Sequence, residues 1–94
     1  MHHSTTIRQE CLRPADDDWE QPTGPEIREV IERAGFTGSK AGKYLGISVQ
    51  ETGGCRQIRK WIAEDARIPY SAWALLCHAA GFGTIWIDES DPDA

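Results

Sequence analysis

The chain has 94 residues, 39% of them hydrophobic and 27% charged, with a formal net charge of −5. That length makes one small domain whose core is just large enough to fold without staples, and no apolar run approaches the roughly 18 residues of a membrane span. Three cysteines, odd in number and without CxxC spacing, argue against a disulfide framework and for a reduced, cytoplasmic setting.

Residues 1–22 lack hydrophobic periodicity and contain Asp16, Asp17, Asp18 and two prolines, so they read as a mostly disordered acidic arm. They also lack the apolar stretch of a secretory signal. Trp19 is the one side chain of the arm suited to docking on a domain. A first helix is predicted over residues 25–34. Thr23 supplies a cap, Pro25 a first-turn proline and Glu26 an early acid. Ile27, Val30, Ile31 and Ala34 follow the i, i+3, i+4, i+7 spacing of a buried face. Gly35 ends it.

A second helix is predicted over residues 38–45, with Thr37 as cap and Gly46 as stop. Ala41 and Leu45 share a face, and the small Ala41 allows another helix to approach closely. Ser48 and Glu51 have capping-box spacing, which would start a helix at Val49. Gly53 and Gly54 would then lie inside it at about 1 kcal/mol each. A loop through Gly54 and a third helix over residues 55–64 is the preferred reading. A fourth helix is predicted over residues 69–80. Trp73, Leu76, Cys77 and Ala80 form one face and Ala72, Leu75 and Ala79 another, leaving only Ser71 and His78 as a polar stripe. A helix this apolar is central to a core or covered by a second subunit. Residues 84–88 are short and β-prone, a small strand or an extended tail that packs Ile85 or Trp86.

The charge is unevenly placed. Residues 1–22 sum to −3 and residues 84–94 to −4, whereas residues 38–60 carry Lys40, Lys43, Arg56, Arg59 and Lys60 against Glu51 alone, or +4. A local basic patch, rather than total charge, sets attraction to phosphate. On the third helix Cys55, Ile58, Trp61 and Ile62 fall on one face. Arg56 and Lys60 fall on the opposite face, flanked by Gln57 and Arg59. Cations and an amide are the groups that bond to phosphates and purine edges. The plainer reading of such a face is a solvated surface, since charged helix faces are common.

Phe36-Thr37, Ala41, Leu45-Gly46-Ile47-Ser48, Arg56-Gln57-Ile58-Arg59-Lys60-Trp61 and Ile68-Pro69-Tyr70-Ser71-Ala72-Trp73 stand in an order that resembles the lambda-repressor-like family. This is the Cro/C1-type helix-turn-helix of phage, plasmid and conjugative-element regulators. The resemblance covers residues 23–83. It implies an all-α, four-helix domain whose third helix enters the major groove. Arg56, Gln57 and Lys60 would face bases, and Arg59 bases or phosphate. Ser39, Lys40 and Lys43 would contact the backbone, and Arg67 and Tyr70 another phosphate. The chain departs from the family in having Gly38 where a polar residue usually opens the second helix, in a longer connection over residues 49–54, and in showing no fifth helix after Gly81.

Other constellations are weaker. Residues 38–44 have three residues between glycines where a phosphate-binding loop has four, and Tyr44 where it needs Ser or Thr. Cys55, Cys77 and His78 lack a fourth metal partner, and adjacent helical residues point about 100° apart. The same geometry disfavours a Cys–His nucleophile pair, so no enzyme, metal or cofactor is expected. The reading is a sequence-specific binder of double-stranded DNA, a small transcriptional repressor and a homodimer. It consists of an arm (1–22), a domain (23–83) and a tail (84–94) that contributes to dimerisation. The alternative is a protein-interaction module, such as the antitoxin of a toxin–antitoxin pair. The acidic tails and apolar fourth helix favour it, and the +4 segment favours DNA.

Overall fold

The computed structural model describes residues 6–47 and 55–87. A single 3-10 turn, Gln9–Cys11, precedes four helices: α1 (Gly24–Arg33), α2 (Gly38–Tyr44), α3 (Arg56–Ile62) and α4 (Tyr70–Ala79). There is no strand among the described residues. The domain is all-α, with each predicted helix present and its ends within two residues of expectation. The predicted connection from 48 to 54, with its alternative helix start at Val49, lies outside the described residues.

Local signals set the helix ends. The Thr23 side chain accepts the Glu26 backbone N–H, and Glu26 accepts the Thr23 N–H in return, a capping box at the start of α1. Thr37 caps α2 by accepting the Lys40 N–H at 3.1 Å. All four helices close on a left-handed residue with a six-residue return bond. Gly35, Gly46 and Gly81 supply that residue for α1, α2 and α4, at φ of 75°, 75° and 95°. The return bonds are Phe36 N to Ile31 O, Ile47 N to Gly42 O and Phe82 N to Cys77 O. For α3 the residue is Glu64, at φ 64°, with Asp65 N donating to Lys60 O at 2.9 Å. A side chain in that conformation costs about 1 kcal/mol.

The core follows the predicted faces. Ile27, Val30 and Ile31 of α1, Ala41 of α2, Ile58 and Trp61 of α3, and Trp73, Leu76 and Cys77 of α4 are buried together with Cys55 and Ile68. The helix α1 packs on α3 and α4, and α2 packs on α3. The second face predicted for α4 is only partly used, because Ala72 and Ala79 are half-buried and Leu75 is exposed, while Ala74, outside both predicted faces, is buried. At the N-terminus of α1, a Cβ on Gly24 would lie 1.9 Å from the Ile62 carbonyl oxygen. Only glycine lets α1 meet the last turn of α3 at this distance.

Two expectations are corrected. Residues 6–22 are packed on the domain rather than lying off it as a disordered arm. Ile7 and Cys11 are buried, and the Cys11 carbonyl accepts both the Trp73 indole N–H at 2.6 Å and the Trp19 indole N–H at 3.0 Å. Trp19 also meets Tyr70 edge-on, with ring centroids 5.1 Å apart. These pairings join residues far apart in sequence, which periodicity does not register. The triple aspartate remains exposed on this segment. At the other end, residues 84–87 form a turn, with Ile87 N donating to Thr84 O, in place of a strand. Ile85 is the side chain that packs, and Trp86 is exposed.

A buried carboxylate anchors the N-terminal segment. Glu26 accepts the Arg8 backbone N–H and two side-chain N–H groups of Arg8, at 3.0 to 3.2 Å. Arg8 also reaches Glu20 and the Gln21 carbonyl. Burial alone would push the Glu26 carboxyl up. The Arg8 guanidinium and the backbone N–H groups of Arg8 and Thr23 outweigh burial and hold it at about 2. The Cys11 thiol beside it is pushed up to about 12, first by burial and then by the Glu26 charge.

Candidate nucleic-acid interface

Helix α3 has two opposite sides. Ile58 and Trp61, with Cys55 just before the helix, are buried against the core. Arg56, Arg59 and Lys60 are exposed, and Gln57 is half-buried at their flank. Positions 56, 59 and 60 are spaced i, i+3, i+4, so the three cations share one side of the helix. Helix α2, packed against α3, adds Lys40 and Lys43, both exposed, and the half-buried Ser39. Lys40 places its ammonium 5.9 Å from the Phe36 ring centroid, which fixes its stem without neutralising it.

The electrostatic state of these side chains is informative. The ion pairs among the described residues are Arg8–Glu20, Arg8–Glu26 and Arg33–Glu29. None of Lys40, Lys43, Arg56, Arg59 and Lys60 has a carboxylate partner there. Among the described residues, no internal pair has to break before these cations meet an external anion. The packing of α2 on α3 brings seven of the nine predicted contact residues, Ser39, Lys40, Lys43, Arg56, Gln57, Arg59 and Lys60, onto one two-helix unit.

The remaining two predicted contacts fall elsewhere. Arg67 is exposed in the connection between α3 and α4, beside a small recess of about 120 Å³ that it shares with Gln21, Trp61 and Glu64. Tyr70 is half-buried, and its hydroxyl donates to the Arg13 carbonyl at 2.9 Å. Burial pushes its phenol up. With its single proton committed, Tyr70 holds the N-terminal segment onto α4. Cys55 and Cys77 are core residues and His78 is exposed. Among the described residues no group of three or more His, Cys, Asp or Glu side chains could hold a metal ion.

Sequence periodicity missed the residues that position α3. Glu64 turns the chain at its C-terminus and accepts the Gly24 N–H at 3.2 Å, so α1 and α3 are clamped end to end. The sequence around Thr23, Gly24, Pro25 and Glu26 signals a helix start, but nothing in it signals the contact with Ile62. The Trp61 indole N–H is buried without a hydrogen-bond partner among the described residues. Trp61 therefore serves α3 through its apolar surface.

A four-helix domain that exposes cations on one pair of helices and packs its apolar faces inward has the make-up of a small transcriptional regulator. The comparison with known proteins specifies the family. The chain is 54% identical over 86 residues to the transcriptional repressor protein KorC of Escherichia coli, covering 92% of this chain and 96% of that protein. A second Escherichia coli protein of the same name is 55% identical over 80 residues, covering 85% and 89%. The chain belongs to the KorC family of transcriptional repressors. No family model matches it, and no solved structure does. No helix among the described residues is long and apolar enough to cross a membrane.

Proposed function

We propose that the protein is a transcriptional repressor that binds double-stranded DNA sequence-specifically, through a lambda-repressor-like helix-turn-helix made by α2 and α3. The observation that carries this reading is the exposed face of α3, whose three cations have no carboxylate partner among the described residues. Near-full-length similarity to proteins named repressors supports a regulatory role. Exposed cations with no carboxylate partner among the described residues favour DNA over a protein as the primary partner.

In this reading α3 lies in the major groove. Arg56, Gln57 and Lys60 address base edges: arginine or lysine matches guanine O6 and N7, and glutamine matches adenine N6 and N7. Arg59 reaches a base or a phosphate. Ser39, Lys40 and Lys43 hold the backbone, and Arg67 holds a further phosphate. Tyr70 contributes by fixing residues 6–22 on α4. A seven-residue helix covers only a few base pairs, so the protein works as a cytoplasmic homodimer on half-sites about 34 Å apart.

Fluorescence anisotropy on labelled duplexes over a salt series tests the mechanism. Log affinity is expected to fall steeply against log salt, by about 0.9 per neutralised phosphate. A flat salt response overturns it. Selection from a random duplex pool is expected to return a palindromic consensus, and a pool that enriches no consensus overturns specific recognition.

A further inference from the structure

Residues 63–69 join α3 to α4 and carry the exposed Arg67. The backbone around Arg67 is lightly held. Asp65 and Ala66 donate back to the Lys60 carbonyl and close α3, and the Pro69 carbonyl accepts Trp73 N at the start of α4. Between these points, Arg67 and Ile68 make no backbone–backbone hydrogen bond among the described residues. Ile68 has two other attachments. Its side chain is buried in the core, and its carbonyl accepts the Gln21 side-chain N–H at 3.4 Å, across 47 positions. Gln21 is fixed in its turn, because its own carbonyl accepts an Arg8 guanidinium N–H at 3.0 Å. Gln21 and the buried Pro22 also wall the recess beside Arg67.

We infer that Gln21 is a positioning residue for DNA binding: by holding the Ile68 carbonyl, it sets where the neighbouring Arg67 stands against a phosphate. The inference rests on the DNA reading above, in which Arg67 holds a phosphate, and it adds the residue that aims that contact. Three observations carry it. First, no ion pair orients the Arg67 guanidinium among the described residues. Glu64 lines the same recess, yet its carboxylate accepts the Gly24 N–H. The direction of Arg67 is therefore set through its backbone. Second, the α4 side of the connection is stiff. Pro69 stands at φ −65°, and a residue before proline is restricted to extended backbone. With its side chain buried and its carbonyl bonded, Ile68 is fixed at two points, and Arg67 is attached directly to it. Third, Gln21 belongs to the segment that is packed across α4 by the Tyr70 hydroxyl on the Arg13 carbonyl and the Trp73 indole on the Cys11 carbonyl. Its hold on Ile68 is thus backed by the core. Residues 6–22, which carry no predicted DNA contact, acquire a part in binding.

Fluorescence anisotropy on the full chain, with the labelled duplex enriched from the random pool and a salt series, tests the inference. Arg67→Ala is the reference. Loss of one phosphate contact is expected to reduce the salt slope by about 0.9, which is about fivefold in affinity at ~0.15 M salt. Gln21→Met keeps the length and the zero charge of the side chain and removes the donor. It is expected to reproduce about half or more of the Arg67→Ala change in slope. In the Arg67→Ala background it is expected to add no further loss, because the two residues act on one contact. A merely structural Gln21 would lower the folded fraction and leave the slope at its wild-type value, since no charge is exchanged. Gln21→Ala carries the test if Gln21→Met fails to fold. A wild-type slope in a folded Gln21 variant overturns the inference. So does a loss that adds in full to that of Arg67→Ala. Failure of the underlying reading would appear separately, as an Arg67→Ala variant that binds like the wild type, and it would take the inference with it.

Discussion

Residues 6–26 bury one carboxylate and surround it with donors, whereas α2 and α3 hold five cations in solvent with no carboxylate partner among the described residues. Both regions use the same chemical groups. Arg8 reaches Glu26, Glu20 and the Gln21 carbonyl, and its guanidinium ties three points of the chain together. Arg56 is likewise exposed to solvent and has no such partner among the described residues. Charges that are paired internally fix the fold, and their removal should be felt as lost stability. Charges left unpaired contribute little to stability, and their removal should be felt as lost binding. The two regions meet where Gly24 and Glu64 clamp α1 to α3, so damage at that clamp should cross from one kind of effect to the other.

The largest effect is expected there. In Gly24→Val the new Cβ would sit 1.9 Å from the Ile62 carbonyl oxygen and 3.0 Å from its carbon. Both atoms are backbone, so α1 must move off the end of α3. The expected loss is about 3 kcal/mol or more in urea unfolding, the scale of severe overpacking. DNA affinity should fall even for the fraction that stays folded, because α3 loses its brace. A loss below about 1 kcal/mol would show that the two helices can slide apart freely.

Glu26 comes next, and its effect depends on pH. Its folded value of about 2 lies below its ordinary value of 4.5, so the unfolded chain takes up the proton first. The stabilisation is complete above about pH 4.5 and is lost as pH falls toward about 2. The shift corresponds to at most about 3 kcal/mol. Urea unfolding of the wild type should show this slope between pH 4.5 and 2.5. Glu26→Gln should be less stable by about 2–4 kcal/mol at neutral pH and should lose the slope. Its DNA affinity, corrected for the folded fraction, should equal that of the wild type. A binding defect beyond unfolding would erase the distinction between the two regions.

On the open side, Arg56→Ala and Lys60→Ala should each weaken binding roughly tenfold, or about 1.4 kcal/mol. Stability should stay within about 0.5 kcal/mol of wild type. If one of the two contacts a phosphate, its variant should also reduce the salt slope by about 1. A parallel loss of thermal stability would place these residues with Arg8, as parts of the fold.

The division between these regions is unequally legible in the sequence. Spacing alone locates α1 to α4, because capping threonines, stop glycines and 3.6-residue periodicity are local signals. It also separates Ile58 and Trp61 from Arg56 and Lys60, since opposite faces of one helix follow from residue spacing. The packing of residues 6–22 is not legible. It depends on Arg8 meeting Glu26 across 18 positions and on Trp73 meeting the Cys11 carbonyl across 62. Three aspartates and two prolines in that stretch signal solvent, and the aspartates are indeed exposed, but Pro22 is buried, and Ile7, Cys11 and Trp19 carry the contact. Tyr70 shows the same limit. Its position at the start of α4 suits a phosphate contact, and only the fold reveals that the Arg13 carbonyl already holds its hydroxyl.

Glu64 sits on the boundary and should give the smallest effect. It is exposed, like the cations of α3, yet its Oε2 accepts the Gly24 N–H at the N-terminus of α1, as Glu26 accepts backbone donors one turn away. Glu64→Gln keeps an acceptor oxygen and the same left-handed backbone, so it isolates the charge. A carboxylate at an exposed helix N-terminus is worth about 0.3–1 kcal/mol, screened by salt. The variant should therefore lose about 0.5 kcal/mol in thermal unfolding at low salt and match the wild type in ~1 M salt, where the Debye length is about 3 Å. A loss above about 2 kcal/mol that persists in salt would make Glu64 a second anchoring carboxylate and extend the paired region into α3. A gain in stability would mean that its charge is unfavourable where it stands, and the clamp would then rest on the Gly24 contact with Ile62 alone.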